Sequence, residues 1–330
     1  MTQIDNFLAE FAKDNIRLID QSHLIEEFTS EEQFKLSSRI KISSFLRTLE
    51  LNNVKLNQCM SNILMHDLPC NNSIQILRLQ NIPNLTSSVF ALKEIIQFNT
   101  SIEELEISNI PDGDLIFKEI VPWLFTDNKV KHLTLSNLHI QSASLELMSN
   151  LLKTNSTITH LDISNQNLSG KHMVSVIKSI EQNTSIQSIN FSNCHLTPQI
   201  IAALGEVIDK NSIIKELDLS RNKLFSADLI GIAPFLKKLE KLNLSHNLID
   251  RYFVVDFARS FDNKTLLNSI NLENNRLGNL GCITLAHYLE SIKSVETLNI
   301  SSNDLDQFGE YLVQKALKLA SPPYRIKLTL

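Results

Sequence analysis

A step of 28 along the chain separates His132 from His160, and Asp162 follows the second of them by two. Two imidazoles and a carboxylate form a donor set for zinc, on the condition that the fold brings positions at that interval to one place. Glu50, Arg78 and Glu106 share that interval and alternate in sign, which on the same condition makes a ladder of ion pairs. Exposed pairs of this kind contribute about 0–1 kcal/mol each, so the ladder reads as surface trim. The histidine pair has no third strong donor beside it and reads as a solvated pair. No serine or cysteine has the base and orienting group that a nucleophile needs, and no paired buried carboxylates stand out. No catalytic residue, metal or cofactor is expected.

Composition narrows the field further. Glycine numbers 7 in 330 residues, against a usual share of about 7%. Phosphate-binding loops and nucleophile elbows are built on glycine, so most nucleotide and hydrolase folds are disfavoured. With 43% hydrophobic residues the chain can fill a core. A net charge of −5 offers no general attraction to a phosphate backbone, so nucleic acid is a poor partner.

The elements that would position these residues come from a repeat. Ten segments follow L-x-x-L-x-L-x-x-(N/other)-x-L. Their fourth positions are Leu49, Leu77, Leu105, Leu133, Leu161, Ile189, Leu217, Leu242, Ile270 and Leu298, with steps of 28, 28, 28, 28, 28, 28, 25, 28 and 28. Clear copies are ITHLDISNQNL (158–168), IKELDLSRNKL (214–224), LEKLNLSHNLI (239–249) and VETLNISSNDL (295–305). The L-x-L core alternates apolar and polar, as a strand with one buried face does. Stretches such as PQIIAALGEVIDKN (198–211) carry helical spacing between the strands. Pro198 suits a first helical turn, with Thr197 as its cap. One repeat cannot bury its own apolar face, and stacked repeats share one core.

This pattern is identified as the leucine-rich repeat. It implies an α/β solenoid (horseshoe) with a parallel inner sheet and outer helices, in about ten repeats at a period of 28. The segment LENNRLGNLGCITLAHYLES (272–291) resembles the ribonuclease-inhibitor-like subclass through Asn275, Leu277, Gly278, Gly281, Leu285, Ala286 and Leu289. NOD-like receptors and Ran GTPase-activating proteins carry similar repeats. The organisation expected is a helical N-terminal cap over 1–45, repeats over 46–320 and a closing strand within 321–330.

Residues one period apart then stand side by side on the inner face, about 4.8 Å apart. The column between the two core leucines includes Arg78, Glu106, Asp162, Asp218 and Asn243, and the column before it Glu104, His132, His160, Glu216 and Lys241. With Arg221, His246 and Glu273 these form the candidate partner-binding surface. Its charge is mildly acidic and it lacks aromatics, so a basic or polar protein surface is the partner expected. Reversing Asp162, Glu216 and Asp218 together should weaken such binding.

Two further columns bear on structure. Asn53, Asn81, Asn109, Asn137, Asn165 and Asn193 give way to Arg221, His246, Asn274 and Ser302, at a place where asparagine suits a left-handed turn. The next position is Val54, Ile82, Ile110, Leu138, Gln166 and Cys194, then Asn222, Asn247, Asn275 and Asn303. A buried asparagine there would serve the backbone of the turn, so the first repeats must satisfy theirs differently. The 25-residue repeat at 217–241 contains Pro234 and shortens its helix, which makes Phe225, Arg221, His246 and Tyr252 a second candidate partner site.

The N-terminus shows no basic stretch followed by an apolar run, and no segment reaches the roughly 18 apolar residues of a membrane span. The expected location is cytoplasmic, the expected state monomeric. The leading functional expectation is a non-enzymatic scaffold for a protein partner. The alternative implied by resemblance is a GTPase-activating accessory similar to Ran activators. A ubiquitin-ligase adaptor is disfavoured, since residues 1–45 have no F-box-like Leu-Pro start. Scarce glycine with abundant Asn, Lys and Ile is what an AT-rich genome gives, and it resembles effectors that intracellular bacteria, Legionella-like ones for example, send into a host cytosol by a non-classical route.

Overall fold

The computed structural model describes residues 15–19, 29–56, 58–124, 129–289, 292, 294–319 and 327–330. The chain forms two compact units, residues 1–163 and 164–330. Among the described residues of the first, six parallel strands lie in sequence order: β1 (Asn15–Ile19), β2 (Thr48–Asn52), β3 (Ile76–Gln80), β4 (Glu104–Ser108), β5 (His132–Ser136) and β6 (His160–Asp162). The second repeats the arrangement with β7 (Ser188–Asn190), β8 (Glu216–Asp218), β9 (Lys241–Asn243), β10 (Ser269–Asn271), β11 (Thr297–Asn299) and β12 (Lys327–Thr329).

The repeat sets the register. Leu49, Leu77, Leu105, Leu133 and Leu161 stand opposite one another, as do Ile189, Leu217, Leu242, Ile270 and Leu298. All ten are buried. A slip of one residue would turn each row to water, which is why the register is strongly specified. The helices include Val89–Phe98, Gly113–Leu124, Ser142–Leu152, Lys171–Ile180, Pro198–Lys210, Arg251–Arg259, Gly278–Leu289 and Gln307–Leu319. Each unit is thus an α/β solenoid of leucine-rich-repeat type.

Three features depart from simple repetition. The span 1–45, read as a helical cap, contains strand β1, with Ile16 opposite Leu49. A step of 33 separates those two residues instead of 28, so the period misses it. Helix Ser30–Ile42 follows. The helical segments expected at 4–12 and 23–28 lie outside the described residues. In the 25-residue repeat the outer helix breaks into Ser226–Leu229 and Ala233–Leu236, the latter holding Pro234 in its first turn.

The third feature is strand length, five residues in β2–β5 and three in β6–β11. The second unit places Asn or Asp in the middle column, and their Oδ1 atoms take the backbone N–H two residues on. Ser192 N–H donates to Asn190, Ser220 N–H to Asp218, Ser245 N–H to Asn243, Glu273 N–H to Asn271 and Ser301 N–H to Asn299, at 2.8–3.1 Å. This local turn withdraws the N–H from the ladder and ends the strand. The corresponding Glu50, Arg78, Glu106 and Thr134 carry no such short amide or carboxylate, and their strands run on.

One carboxyl sits at odds with its surroundings. Asp67 is 4% exposed and accepts a 2.5 Å hydrogen bond from the Ser37 hydroxyl. Burial raises its pKa above the usual 3.8, outweighing the Ser37 bond and the charges of Lys41 and His66. The folded state therefore holds this proton more tightly than the unfolded chain. The stability that follows is complete below about pH 3.8 and is lost as pH rises through the folded value. Asp67→Asn keeps an acceptor for Ser37 without the buried charge. It is expected to raise the melting temperature at pH 7 and leave it unchanged near pH 3, as read by circular dichroism.

Candidate functional site

The open face of the sheet carries the polar columns. In the first unit, the Arg78 guanidinium reaches Glu104 at 2.5 Å and Glu106 at 3.5 Å. Gln80 donates to Glu106, Asn52 donates to Gln80, and Asn81 donates to Asn52. The ion pair is thus shared between two columns, where the sequence pointed to a row along one. A long guanidinium fork reaches both carboxylates, and each is partly exposed, so the pairs add little stability.

His132 and His160 do come together, with ring centroids 4.0 Å apart and planes 17° from parallel. The Thr159 hydroxyl lies 2.8 Å from Nδ1 of His160. A metal binds in the plane of an imidazole, and two stacked rings offer it no common point. Asp162 lies opposite Thr134. Among the described residues no group of three or more His, Cys, Asp or Glu is placed to hold a metal ion.

In the second unit, Lys241 pairs with Glu216 at 2.6 Å, and the hydrogen bond to that carboxylate holds the lysine pKa above its ordinary value. Asn243 donates to Asp218 at 2.7 Å, and Asn299 donates to Glu273 at 3.1 Å. Glu216, Asp218 and Lys241 line an open depression, with Asn190, Asn243 and Asn271 beside them; its volume, solvent included, is about 750 Å³. Arg221, His246 and Glu273 are not part of that lining. At the strand ends, an Arg221 guanidinium nitrogen lies 3.3 Å from Nε2 of His246, and the Asn274 side-chain amide lies 2.7 Å from Nδ1. Arginine only donates, so Nε2 accepts from Arg221, and it is the Asn274 Nδ2 that faces Nδ1.

The turn columns behave as their residue types require. Asn53, Asn81, Asn109, Asn137, Asn165, Asn193, Arg221, His246, Asn274 and Ser302 all have φ between 52° and 59°. Val54, Ile82, Ile110 and Leu138 are buried in the next position. There, Asn222 donates to the carbonyls of Phe191, Leu219 and Ser220 and accepts from the N–H groups of Cys194 and Leu196. Asn247, Asn275 and Asn303 repeat this role. Cys194 is buried among these turns and donates toward the Ser192 carbonyl.

Sequence reasoning named Phe225 and Tyr252 but missed that Leu280 and Phe308 continue them as exposed apolar residues. Tyr252, Leu280 and Phe308 are 61%, 58% and 66% exposed, and Phe225 is 53% exposed nearby in the chain. Steps of 28 separate Tyr252, Leu280 and Phe308. That spacing was available as a signal, but apolar residues in a helix read as core. Phe253, the neighbour of Tyr252, is fully buried and stacks on Phe257.

Fold and face define each unit as leucine-rich-repeat-like, with a polar, laterally bonded sheet surface. No family model and no curated protein matches the chain. Solved structures similar to it include the tropomodulin C-terminal domain of Caenorhabditis elegans, 17% identical over 45% of this chain and 90% of that one, with a TM-score of 0.37. Leiomodin-1 actin-binding site 2 is 16% identical over 44% of this chain and 86% of that one, also with a TM-score of 0.37. Similarity at this level carries no argument about function. No helix among the described residues is long and apolar enough to cross a membrane.

Proposed function

We propose that the protein is a non-enzymatic scaffold that binds a protein partner through the open face of its sheet and works in a cytosol. The observation that carries this reading is the depression around Glu216, Asp218 and Lys241. Its side chains are held in place by one another, through Glu216–Lys241 and Asp218–Asn243. Groups fixed before binding lose little conformational entropy on association. Polar and weakly acidic, the surface suits a basic or polar protein patch. The ribonuclease-inhibitor-like segment supports kinship with other protein-binding repeats, since Leu277, Gly281, Leu285, Ala286 and Leu289 are buried and Gly278 has φ +61° at its helix start. The AT-rich composition supports placing that cytosol in a host cell, which a translocation reporter would test.

The test is affinity capture followed by measurement with the purified partner. Glu216→Lys with Asp218→Lys is expected to weaken binding by about tenfold or more, mainly through faster dissociation. Unchanged affinity removes this face as the binding surface. Ras-like and Ran-like GTPases mixed with the protein are expected to hydrolyse GTP at their intrinsic rate, and acceleration would replace the scaffold reading with a GTPase-activating one.

A further inference from the structure

The helices Arg251–Arg259, Gly278–Leu289 and Gln307–Leu319 pack in succession, side by side. Tyr252, Leu280 and Phe308 occupy their first turns one period apart, and all three are exposed. Glycine follows the last two of these residues by one position. A Cβ on Gly281 would lie 3.3 Å from the Cα of Arg251, and one on Gly309 would collide with the Asn279 side chain. The helix starts therefore approach closely, and the apolar residues form one row. Phe225 precedes the row, and its backbone pairs with Leu248. Isolated exposed apolar residues are ordinary, whereas an aligned row marks an interaction surface.

Charge tells what fits it. Arg221, Lys223, Arg251 and Arg276 are exposed around Phe225 and Tyr252. Among the described residues none of the four has an acidic ion-pair partner. Arg221 contacts His246, and the Arg251 guanidinium lies 5.1 Å from the centre of the Tyr252 ring. Elsewhere in the same unit five lysines are matched: Lys210 with Glu181, Lys215 with Glu240, Lys237 with Asp262, Lys238 with Asp209 and Lys241 with Glu216. Two acids lie within the cluster: Asp250 is turned to the Ser226 hydroxyl and the Tyr252 N–H, with its charge also felt by Arg251, and Asp228 accepts from the Phe225 N–H. Three helix N-termini add positive potential at this edge. At the Phe308 end the sign changes, with Asp304, Asp306 and Glu310.

We infer that this edge docks an acidic amphipathic polypeptide segment of another protein. Its apolar side chains lie on the row from Phe225 to Phe308, its Asp and Glu residues over the unpaired cations, and its far end, uncharged or basic, over Asp304, Asp306 and Glu310. A linear segment can follow a change of sign along a row. A flat anionic bilayer would press its charge onto the acidic end as well, which disfavours a membrane. The inference rests on the protein-binding reading but uses a different surface from the sheet face.

The test pans a displayed random dodecapeptide library against the full chain, then measures synthesised peptides by fluorescence anisotropy. Enriched peptides are expected to combine Asp or Glu with Phe, Leu or Trp, and to bind more weakly as salt rises. Arg251→Glu with Arg276→Glu should weaken them about tenfold or more, and so should Tyr252→Ser with Leu280→Ser. All four side chains are exposed, and circular dichroism verifies the fold of both variants. Glu216→Lys with Asp218→Lys should leave peptide affinity unchanged, so failure of the sheet-face reading would be seen separately. Lack of enrichment, peptides without acidic residues, or affinity indifferent to both edge variants would overturn the inference. So would binding to phosphatidylserine vesicles that the edge variants abolish, or a dimer in sedimentation that Tyr252→Ser with Leu280→Ser dissolves.

Discussion

Replacing Asn222 with leucine is expected to cost the protein about 3 kcal/mol, within a range of about 2–4 kcal/mol. Leucine shares the branched outline of asparagine, though it is larger, and occurs naturally at the equivalent Leu138, which is buried. By outline and hydrophobicity alone the change would be mild. The hydrogen bonds decide otherwise. Asn222 Oδ1 accepts from Cys194 N–H at 2.8 Å and Leu196 N–H at 3.3 Å, and Nδ2 donates to Phe191, Leu219 and Ser220 carbonyls at 2.8–3.0 Å. Each buried polar group left without a partner costs about 1–3 kcal/mol. Carbonyls tolerate the loss better than N–H groups, so the two amides dominate the sum. The added apolar burial returns about 1.5–3 kcal/mol at most. The midpoint of urea unfolding should fall with its slope unchanged, and the amides of Cys194 and Leu196 should exchange faster with solvent. A loss below about 1 kcal/mol would mean that the turn finds other partners.

The contrast between Asn222 and Leu138 also shows how far the sequence could be read. The repeat revealed the strands, because leucines recurring at a step of 28 fix register and the buried face together. The left-handed column was legible for the same reason, since asparagine tolerates positive φ. For Arg78 the spacing named Glu50 and Glu106; the structure keeps the pair with Glu106 and adds a nearer one with Glu104. Residue columns do not encode the reach of a long side chain. Strand β1 was hidden by its step of 33. The difference in strand length was hidden because a short polar residue on a sheet face looks the same whether its side chain points to solvent or closes a turn on its own backbone. Leu280 and Phe308 of the apolar row were hidden because hydrophobicity in a helix does not say which side of the helix is covered.

The column least legible in sequence predicts the other large effect. Asn71, Asn99, Asn155, Asn183 and Asn211 end the outer helices, and all are buried. In sequence they look like loop residues, and Asn99-Thr100-Ser101 and Asn183-Thr184-Ser185 even form glycosylation triplets. In the fold, Asn99 Nδ2 donates to the carbonyls of Leu68 and Asn71 at 2.8 and 2.7 Å, one repeat back. Its Oδ1 accepts from the N–H groups of Ser101 and Ile102 at 2.9 and 3.0 Å. The side chain therefore ties one helix end to the repeat before it and also starts the next strand. Asn99→Ala should cost about 3 kcal/mol, since the Ser101 and Ile102 amides both lose their acceptor, while the Leu68 and Asn71 carbonyls keep the Asn71 N–H and the Ser101 hydroxyl. Asn99→Asp separates the two halves of the role. A carboxylate still accepts from Ser101 and Ile102 but faces the two carbonyl oxygens with a charge and no donor. At pH 7 it should be at least as damaging as alanine. The mismatch raises the carboxyl pKa in the folded state, so the stability deficit is removed in part as pH falls below it and the protonated oxygen donates to one carbonyl. Alanine has no such recovery. Parallel melting curves of the two variants at pH 7 and pH 4 would separate them, and equal deficits at both pH values would show that the carbonyl contacts contribute little.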